Sequence, residues 1–372
     1  MTAGTVVVTG ALGQVGTRCA DILLSRGHTV VALDVRNEKS DAAAGELAAR
    51  SHPGTLITAF IDLRDAEAVS DCTATHQPDA IVHLAGILAP SSYRNPALSR
   101  AVNVGGTENL VKAALVLTDR PLFVFASSAS VYGSRNPHRH PERITDSTPV
   151  NPIDQYGEDK VLAEAVIRDS GLPFAILRLG GVISPDGTSN MDRDYLLLMR
   201  ATPRDNRLHA VDARDVGLAF ANAAERRDTI AGKTFVIGGN ETCVHLQRDL
   251  EDDMMQAMGL GRLGSSVGLP GDPHDDRGWS FTGWFDTTES QALLDYQRHD
   301  WAETIAWITA AQSRGVRAVL GVVGPVIRPV LRAALRAQNL VERRGAYADP
   351  WTFIAGRYGP EVLAKSGTTR SP

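Results

Sequence analysis

Thr5-Val6-Val7-Val8-Thr9-Gly10-Ala11-Leu12-Gly13-Gln14-Val15-Gly16 carries a β-branched run straight into a glycine-rich turn, and a helical pattern follows through Arg26. A short apolar run of this kind predicts a buried strand, and glycines at this spacing between strand and helix bind a dinucleotide. Gly10 permits the tight turn, Gly13 lets the backbone approach a pyrophosphate, and Gly16 lets helix and strand pack closely. Leu12, Gln14 and Val15 complete the loop at the helix N-terminus, whose N–H groups stabilise phosphate charge. Asp34 follows Gly16 by 18 residues at the end of the next strand pattern, where a carboxylate accepts hydrogen bonds from adenosine ribose hydroxyls. Its charge repels a 2′-phosphate and favours NAD. Arg36, two residues on, would pair with such a phosphate, so NADP is not excluded.

Further along, strand patterns recur at Thr29-Leu33, Leu56-Ile61, Ala80-Leu84, Leu122-Phe125 and Phe174-Leu177, with amphipathic helical patterns between most of them. Alternating units of this kind predict an α/β fold: a doubly wound (Rossmann) parallel sheet covered by helices on both faces. Residues 1–180 are read as the dinucleotide-binding domain, with return elements near 205–240, among them a helix at Arg214-Glu225 and a strand at Lys233-Gly238. Residues 181–312, Gly- and Pro-rich from Gly259 to Gly283, form a smaller, discontinuous substrate lobe. Residues 313–372 form a basic amphipathic extension.

The 372 residues hold 38 Lys plus Arg against 43 Asp plus Glu and are 43% hydrophobic, a globular composition that argues against disorder and nucleic-acid binding. Cys19, Cys72 and Cys243 are far apart and odd in number, which fits a reducing, cytoplasmic compartment. No export signal is expected at the N-terminus. The longest uncharged apolar run, Ala318 to Ile327, has ten residues, whereas a bilayer takes about 20, so no transmembrane helix is expected.

Tyr156 and Lys160 stand four apart at the start of a helical pattern and share one face. There an ammonium lowers the pKa of a phenol that otherwise titrates near ~10. Upstream, Ser127-Ser128-Ala129-Ser130-Val131-Tyr132-Gly133 follows a strand, on the sheet edge where open α/β sheets bind ligands. With these residues the chain resembles the extended short-chain dehydrogenase/reductase superfamily, in its NAD-dependent epimerase/dehydratase branch. TGxxGxxG is matched by Thr9 to Gly16, Asp-Leu after the third strand by Asp62-Leu63, and HLAx by His83-Leu84-Ala85-Gly86. NVxGTxNL is matched by Asn103 to Leu110, SxxVYG by Ser128 to Gly133, and YxxxK by Tyr156 and Lys160. The matches cover roughly residues 5–220.

The resemblance implies Tyr156 as acid/base, Lys160 as its pKa modulator and nicotinamide-ribose ligand, and Ser128 as the hydroxyl that binds the substrate oxygen. It implies that Asp62 and Leu63 contact adenine, that Leu84, Ala85 and Gly86 pass beside the cofactor, and that Asn103 supports it. Two departures narrow the chemistry. Ala129 and Ser130 stand where dehydratases carry an acidic pair, and Gly181 stands where nucleotide-sugar members carry an asparagine amide. The expected function is therefore NAD(P)-dependent hydride transfer between nicotinamide and a secondary alcohol or ketone, on a small and lipophilic substrate. The alternatives are a nucleotide-sugar epimerase and, in another class, a non-catalytic dinucleotide sensor.

His138, His140 and Glu142, and His274, Asp275 and Asp276, lie in Pro-flanked loops without zinc spacing, so no metal is expected. Asp249 to Asp253 reads as an exposed helix face. Trp279, Phe281, Trp284 and Phe285 either line an apolar pocket or pack the small lobe. From Pro329, Arg328, Arg332 and Arg336 recur every four residues beside Val330, Leu331, Ala334 and Leu335. This predicts peripheral membrane contact through residues 313–345, with arginines on anionic headgroups; packing on the enzyme or in a homodimer is the alternative. Pro325 and Pro329 are expected to break the helix. Residues 313–372 carry +7, which leaves −12 on residues 1–312.

Overall fold

The valine run forms β1 (Thr5–Thr9), and its neighbours follow in the computed structural model, which describes residues 3–186, 193–264, 268–281, 283–342 and 344–365. The remaining strands are β2 (Thr29–Asp34), β3 (Thr55–Phe60), β4 (Ala80–His83), β5 (Leu122–Ser128), β6 (Phe174–Leu179), β7 (Gly181–Ile183), β8 (Arg207–Asp212), β9 (Lys233–Ile237) and β10 (Val244–Leu246). Seven of them form one parallel sheet in the order β3-β2-β1-β4-β5-β6-β9. The order reverses between β1 and β4, and the register aligns Thr9 with Leu33 on one side and His83 on the other. A second, three-stranded sheet runs β10-β8-β7.

Alternation along each strand divides the core between the two faces. Val6 and Val8 pack with Leu23, Leu24, Val124 and Phe220 on one face. Val7 packs with Ile81, Leu110, Phe125 and Ile167 on the other. Helices Gly16–Ser25 and Ala213–Ala224 pack against each other on the first side, and helices Ala66–His76, Gly106–Leu115 and Gln155–Asp169 cover the second. Cys19, Cys72 and Cys243 are buried free thiols; burial pushes Cys19 up to about 12 and Cys243 to about 11, and raises Cys72 as well.

Several expectations for the second half of the chain are corrected. Arg314–Val341 is a single helix that continues through both prolines. Pro325 and Pro329 are exposed, and close by Arg332 anchors the helix to Leu263 O, while Arg328 Nε bonds Gly324 O one turn back in the same helix. The helix also overturns the exclusion based on apolar run length. Residues Arg317–Val341 are, by length and composition, long and apolar enough to cross a bilayer: an 18-residue window within them has mean hydropathy 1.6 although arginines interrupt the uncharged run. The acidic run is not merely a solvated face. Asp252 accepts from the backbone N–H groups of Leu263 and Gly264, and Asp253 accepts from Trp301 and Arg262. The Gly259-Gly283 region is described except for residues 265–267 and 282, and Arg343 also lies outside the described residues.

Beyond this helix the chain returns to the main body of the fold. Trp351, on helix Pro350–Tyr358, is buried against Tyr93, Ile153, Ile354 and Val362, and its indole N–H is bonded to Ser134 Oγ and the Trp279 carbonyl. The Ala364 N–H donates to Ile153 O at 3.0 Å, and the Lys365 N–H donates to Glu158 Oε1 at 3.2 Å. Residues 364 and 365 thus lie beside the helix that carries Tyr156.

Candidate functional site

A cleft of about 500 Å³ opens at the carboxyl ends of the strands, at the point where the strand order reverses, which is where open α/β sheets bind ligands. Its floor is the glycine turn. Gly10 has φ +64°, and a Cβ there would lie 2.8 Å from the Ala85 nitrogen; a Cβ on Gly16 would lie 2.0 Å from Gly10 O. Only glycine allows this close packing. Gly13, Gln14 and Val15 line the cleft, and Gln14 Nε2 is buried there without a hydrogen-bond partner. Leu12 does not line it; its N–H donates to Asp34 Oδ2 at 3.0 Å and fixes the carboxylate at the end of β2. The Val35 N–H holds the other carboxylate oxygen at 2.8 Å. Burial nevertheless raises the Asp34 pKa above the usual carboxylate value, against these two donors. Arg36 stacks 4.3 Å from the Phe60 ring and pairs with Asp41 at 3.4 Å, so it is engaged elsewhere.

Asp62 and Leu63 line the same cleft, with Asp62 held by Arg64 at 2.6 Å. Leu84, Ala85 and Gly86 form its opposite wall. Asn103 lies behind that wall in a π-helical turn, Ala101–Gly105. Its amide clamps Ile87 at both ends, Oδ1 accepting from the N–H at 2.8 Å and Nδ2 donating to the carbonyl at 3.0 Å. A Cβ on Gly86 would come 3.1 Å from Asn103 Oδ1 and 3.5 Å from Lys160 Nζ, which places the clamp directly beside Lys160.

Tyr156 and Lys160 enter the cleft from helix Gln155–Asp169. Asp154 caps this helix through the Gly157 N–H at 2.9 Å and accepts the Tyr93 hydroxyl at 2.5 Å; burial pushes its carboxyl up to about 6. Lys160 donates to Ala126 O at 2.7 Å and lies 4.7 Å from the Phe125 ring centre. Burial lowers its ammonium to about 8, against the charges of Asp159 and Glu164. The Tyr156 phenol is raised, first by burial and then by Asp154 and Asp159, while Ser128, within hydrogen-bonding reach, opposes this. The expected lowering of the phenol by Lys160 is therefore not present in this state. The ammonium is 5.9 Å from the tyrosine ring centre and bonded to a carbonyl. Ser128 stands at the end of β5 with its Oγ 3.0 Å from Ser130 Oγ and does not line the cleft.

A buried charged network behind the site was not read from the sequence. Glu164, one turn beyond Lys160, takes Arg178 Nη2 at 2.7 Å, Arg168 at 2.8 Å and the Ser127 hydroxyl at 2.5 Å. Burial opposes its ionisation, yet the bonds and charges of the arginines hold the carboxyl below its usual range. Arg178 also bonds Tyr132 Oη at 3.0 Å. The spacing from Lys160 to Glu164 is a usable signal for a shared helical face; nothing local marks Arg178. The four small-lobe aromatics resolve as packing. Trp279 and Phe285 are buried, Trp284 donates to His245 O, Phe281 stacks on Trp351, and none of them lines the cleft. Glu142 is paired with Arg135, and Asp276 with Arg139. Among the described residues no three potential metal ligands converge.

The model of the NAD dependent epimerase/dehydratase family matches residues 6–238, more than half of the chain. The chain belongs to this family. Among similar proteins of the family, UDP-glucose 4-epimerase 2 of Oryza sativa subsp. japonica is 37% identical over 168 residues, 44% of this chain and 40% of that one. UDP-glucose 4-epimerase of Mycolicibacterium smegmatis is 33% identical over 162 residues, 43% and 49% of the two. The chain spans about half the length of these curated relatives or less. The UDP-Glc/GlcNAc 4-epimerase from Campylobacter jejuni superposes with TM-score 0.66 at 21% identity, over 82% of this chain and 98% of that one, a likeness of fold. The family's dinucleotide fits the residues present: a glycine cradle with no room for a Cβ, an unpartnered buried amide at Gln14, and a fixed carboxylate at Asp34.

Proposed function

We propose that the chain is an NAD-dependent sugar-nucleotide epimerase, with Tyr156 as acid/base, Lys160 as its electrostatic partner and Ser128 as the hydroxyl that orients the substrate oxygen. The observation that carries the reading is one continuous cleft joining the dinucleotide cradle to Tyr156 and Lys160. Its support in substrate class is the identity to UDP-glucose 4-epimerases over somewhat less than half of the chain. NAD, when bound, takes and returns a hydride and brings a positive charge to the nicotinamide end. In the chain itself, the raised Tyr156 pKa keeps the phenol protonated until a nearby positive charge stabilises the phenolate. Lys160, poised near 8, would supply part of that charge and, with the cofactor bound, would exchange its carbonyl bond for one to the nicotinamide ribose. Asn103 holds the wall against which the cofactor lies, and Ser128 rotates from Ser130 to the substrate oxygen.

A second reading, net oxidoreduction of a secondary alcohol or ketone, is favoured by Gly181. In β7 it packs on Leu208 and brings no amide to a diphosphate. One assay separates the two. The chain, supplied with NAD and UDP-galactose, is expected to form UDP-glucose without net NADH, and Tyr156→Phe is expected to lower turnover by about 10²- to 10⁴-fold with NAD binding kept. Net NADH from simple alcohols, with UDP-hexoses untouched, would transfer the assignment to the second reading. Unchanged turnover in Tyr156→Phe would overturn both.

A further inference from the structure

Helix Arg314–Val341 is 28 residues long, about 42 Å at the standard rise, and contains five arginines and no carboxylate. One side rests on the protein. The Arg332 guanidinium donates to the carbonyls of Leu263 and Arg262, and Arg317 to Thr309 O; Arg328 lies over Gly261, where a Cβ would come 2.7 Å from its Nη1, and its Nε bonds Gly324 O in the same helix. At its C-terminal end, Asn339 and, just past it, Glu342 accept from Arg200, whose carbonyl in turn accepts from Arg344. Two of the three arginines expected to meet headgroups, Arg328 and Arg332, thus face the enzyme. The other side is apolar: Val319, Val322, Val326, Val330, Leu340 and Val341 are each more than three-fifths exposed. Only 6% of its most apolar 18-residue window is buried. Soluble monomers rarely leave a contiguous apolar strip of this extent in water.

We propose that this face lies in the interfacial layer of an anionic lipid bilayer, with the helix parallel to the membrane plane. Charge selects lipid over a second copy of the chain. Arg314 and Arg336 are exposed at the edge of the strip, and the helix carries no acidic residue. A second copy would set arginine against arginine, whereas lipid phosphates pair with both. The fixed arginines set the depth. To span the bilayer, Arg332 would have to leave its carbonyl partners, and Arg328 its seat over Gly261, for hydrocarbon. Held as they are, they prevent the helix from rolling and keep the valines outward.

The test uses the full chain and its Val322→Glu/Val326→Glu/Val330→Glu variant, whose changes fall on exposed positions and are expected to leave the circular dichroism unchanged. The intact chain is expected to co-sediment with phosphatidylcholine vesicles containing phosphatidylglycerol and to be released by alkaline carbonate. The variant is expected to bind at least about tenfold more weakly. Absence of binding by the intact chain, or equal binding by the variant, overturns the proposal. Retention after carbonate would mean that the helix spans. A lipid-free dimer that the variant converts to monomer, without vesicle binding, would mean that a second copy covers the face.

Discussion

At the scale of single residues, the site is built around buried groups whose ionisation depends on a few neighbours. Asp154 is the clearest case. Burial raises its carboxyl from 3.8 to about 6 although it takes hydrogen bonds from Tyr93 and the Gly157 N–H. Between about pH 4 and 6 the folded chain therefore holds a proton that the unfolded chain has lost. Stability contributed by this group is greatest at the acid end and falls as pH rises through that window, by about 3 kcal/mol in all. Asparagine caps a helix as well as aspartate and does not titrate. In urea titrations of Asp154→Asn, the difference from the parent is expected to grow in the variant's favour from pH 4 to pH 6 and then level. A constant difference would show that Asp154 has an ordinary pKa.

At the scale of elements, the strand, turn and helix at the start of the chain determine where the cofactor sits. Gly16→Ala would place a methyl 2.0 Å from Gly10 O, and the only relief is to move the helix away from the strand. NAD affinity by calorimetry is expected to fall by at least about tenfold, since the phosphate-facing N–H groups move with the helix. The control is Gly45→Ala in helix Glu38–Ala48, where a new Cβ meets nothing within 4 Å. It is expected to leave affinity unchanged and to raise stability by up to about 1 kcal/mol. Equal affinity in both variants would remove the turn from the binding site. Elements of this kind were legible because their determinants are local: the valine alternation, the glycines, the Tyr156-Lys160 spacing. The long helix was misread for a related reason. Proline's local cost argued for a break at Pro325, but arginine contacts to a loop some 70 residues distant in sequence, Leu263 among them, hold the helix on.

At the scale of the whole molecule, the most consequential contacts join distant parts of the chain. Trp351 bonds Ser134 across 217 residues, and Glu164 on helix Gln155–Asp169 bonds Arg178 on the strand that follows it. No sequence periodicity encodes either pairing, because each depends on the sheet being assembled first. Trp351→Ala would empty a buried indole site and leave the Trp279 carbonyl without this donor. It is expected to cost about 3 to 5 kcal/mol. Hydrogen exchange should then show lost protection at Ala364 and Lys365, with β1 and β5 still protected. Retained protection at those two amides would mean that the tail is held by other contacts.

The buried thiols have a practical consequence for following the protein on its proposed surface. All three cysteines are shielded and held protonated well above neutral pH, so the native chain should react sluggishly with maleimides. A cysteine introduced at Val326, which is exposed, would be the fast-reacting position without removal of any natural one. Spin or fluorescent probes attached there would then report, against a silent background, the polarity that this one point of the helix experiences.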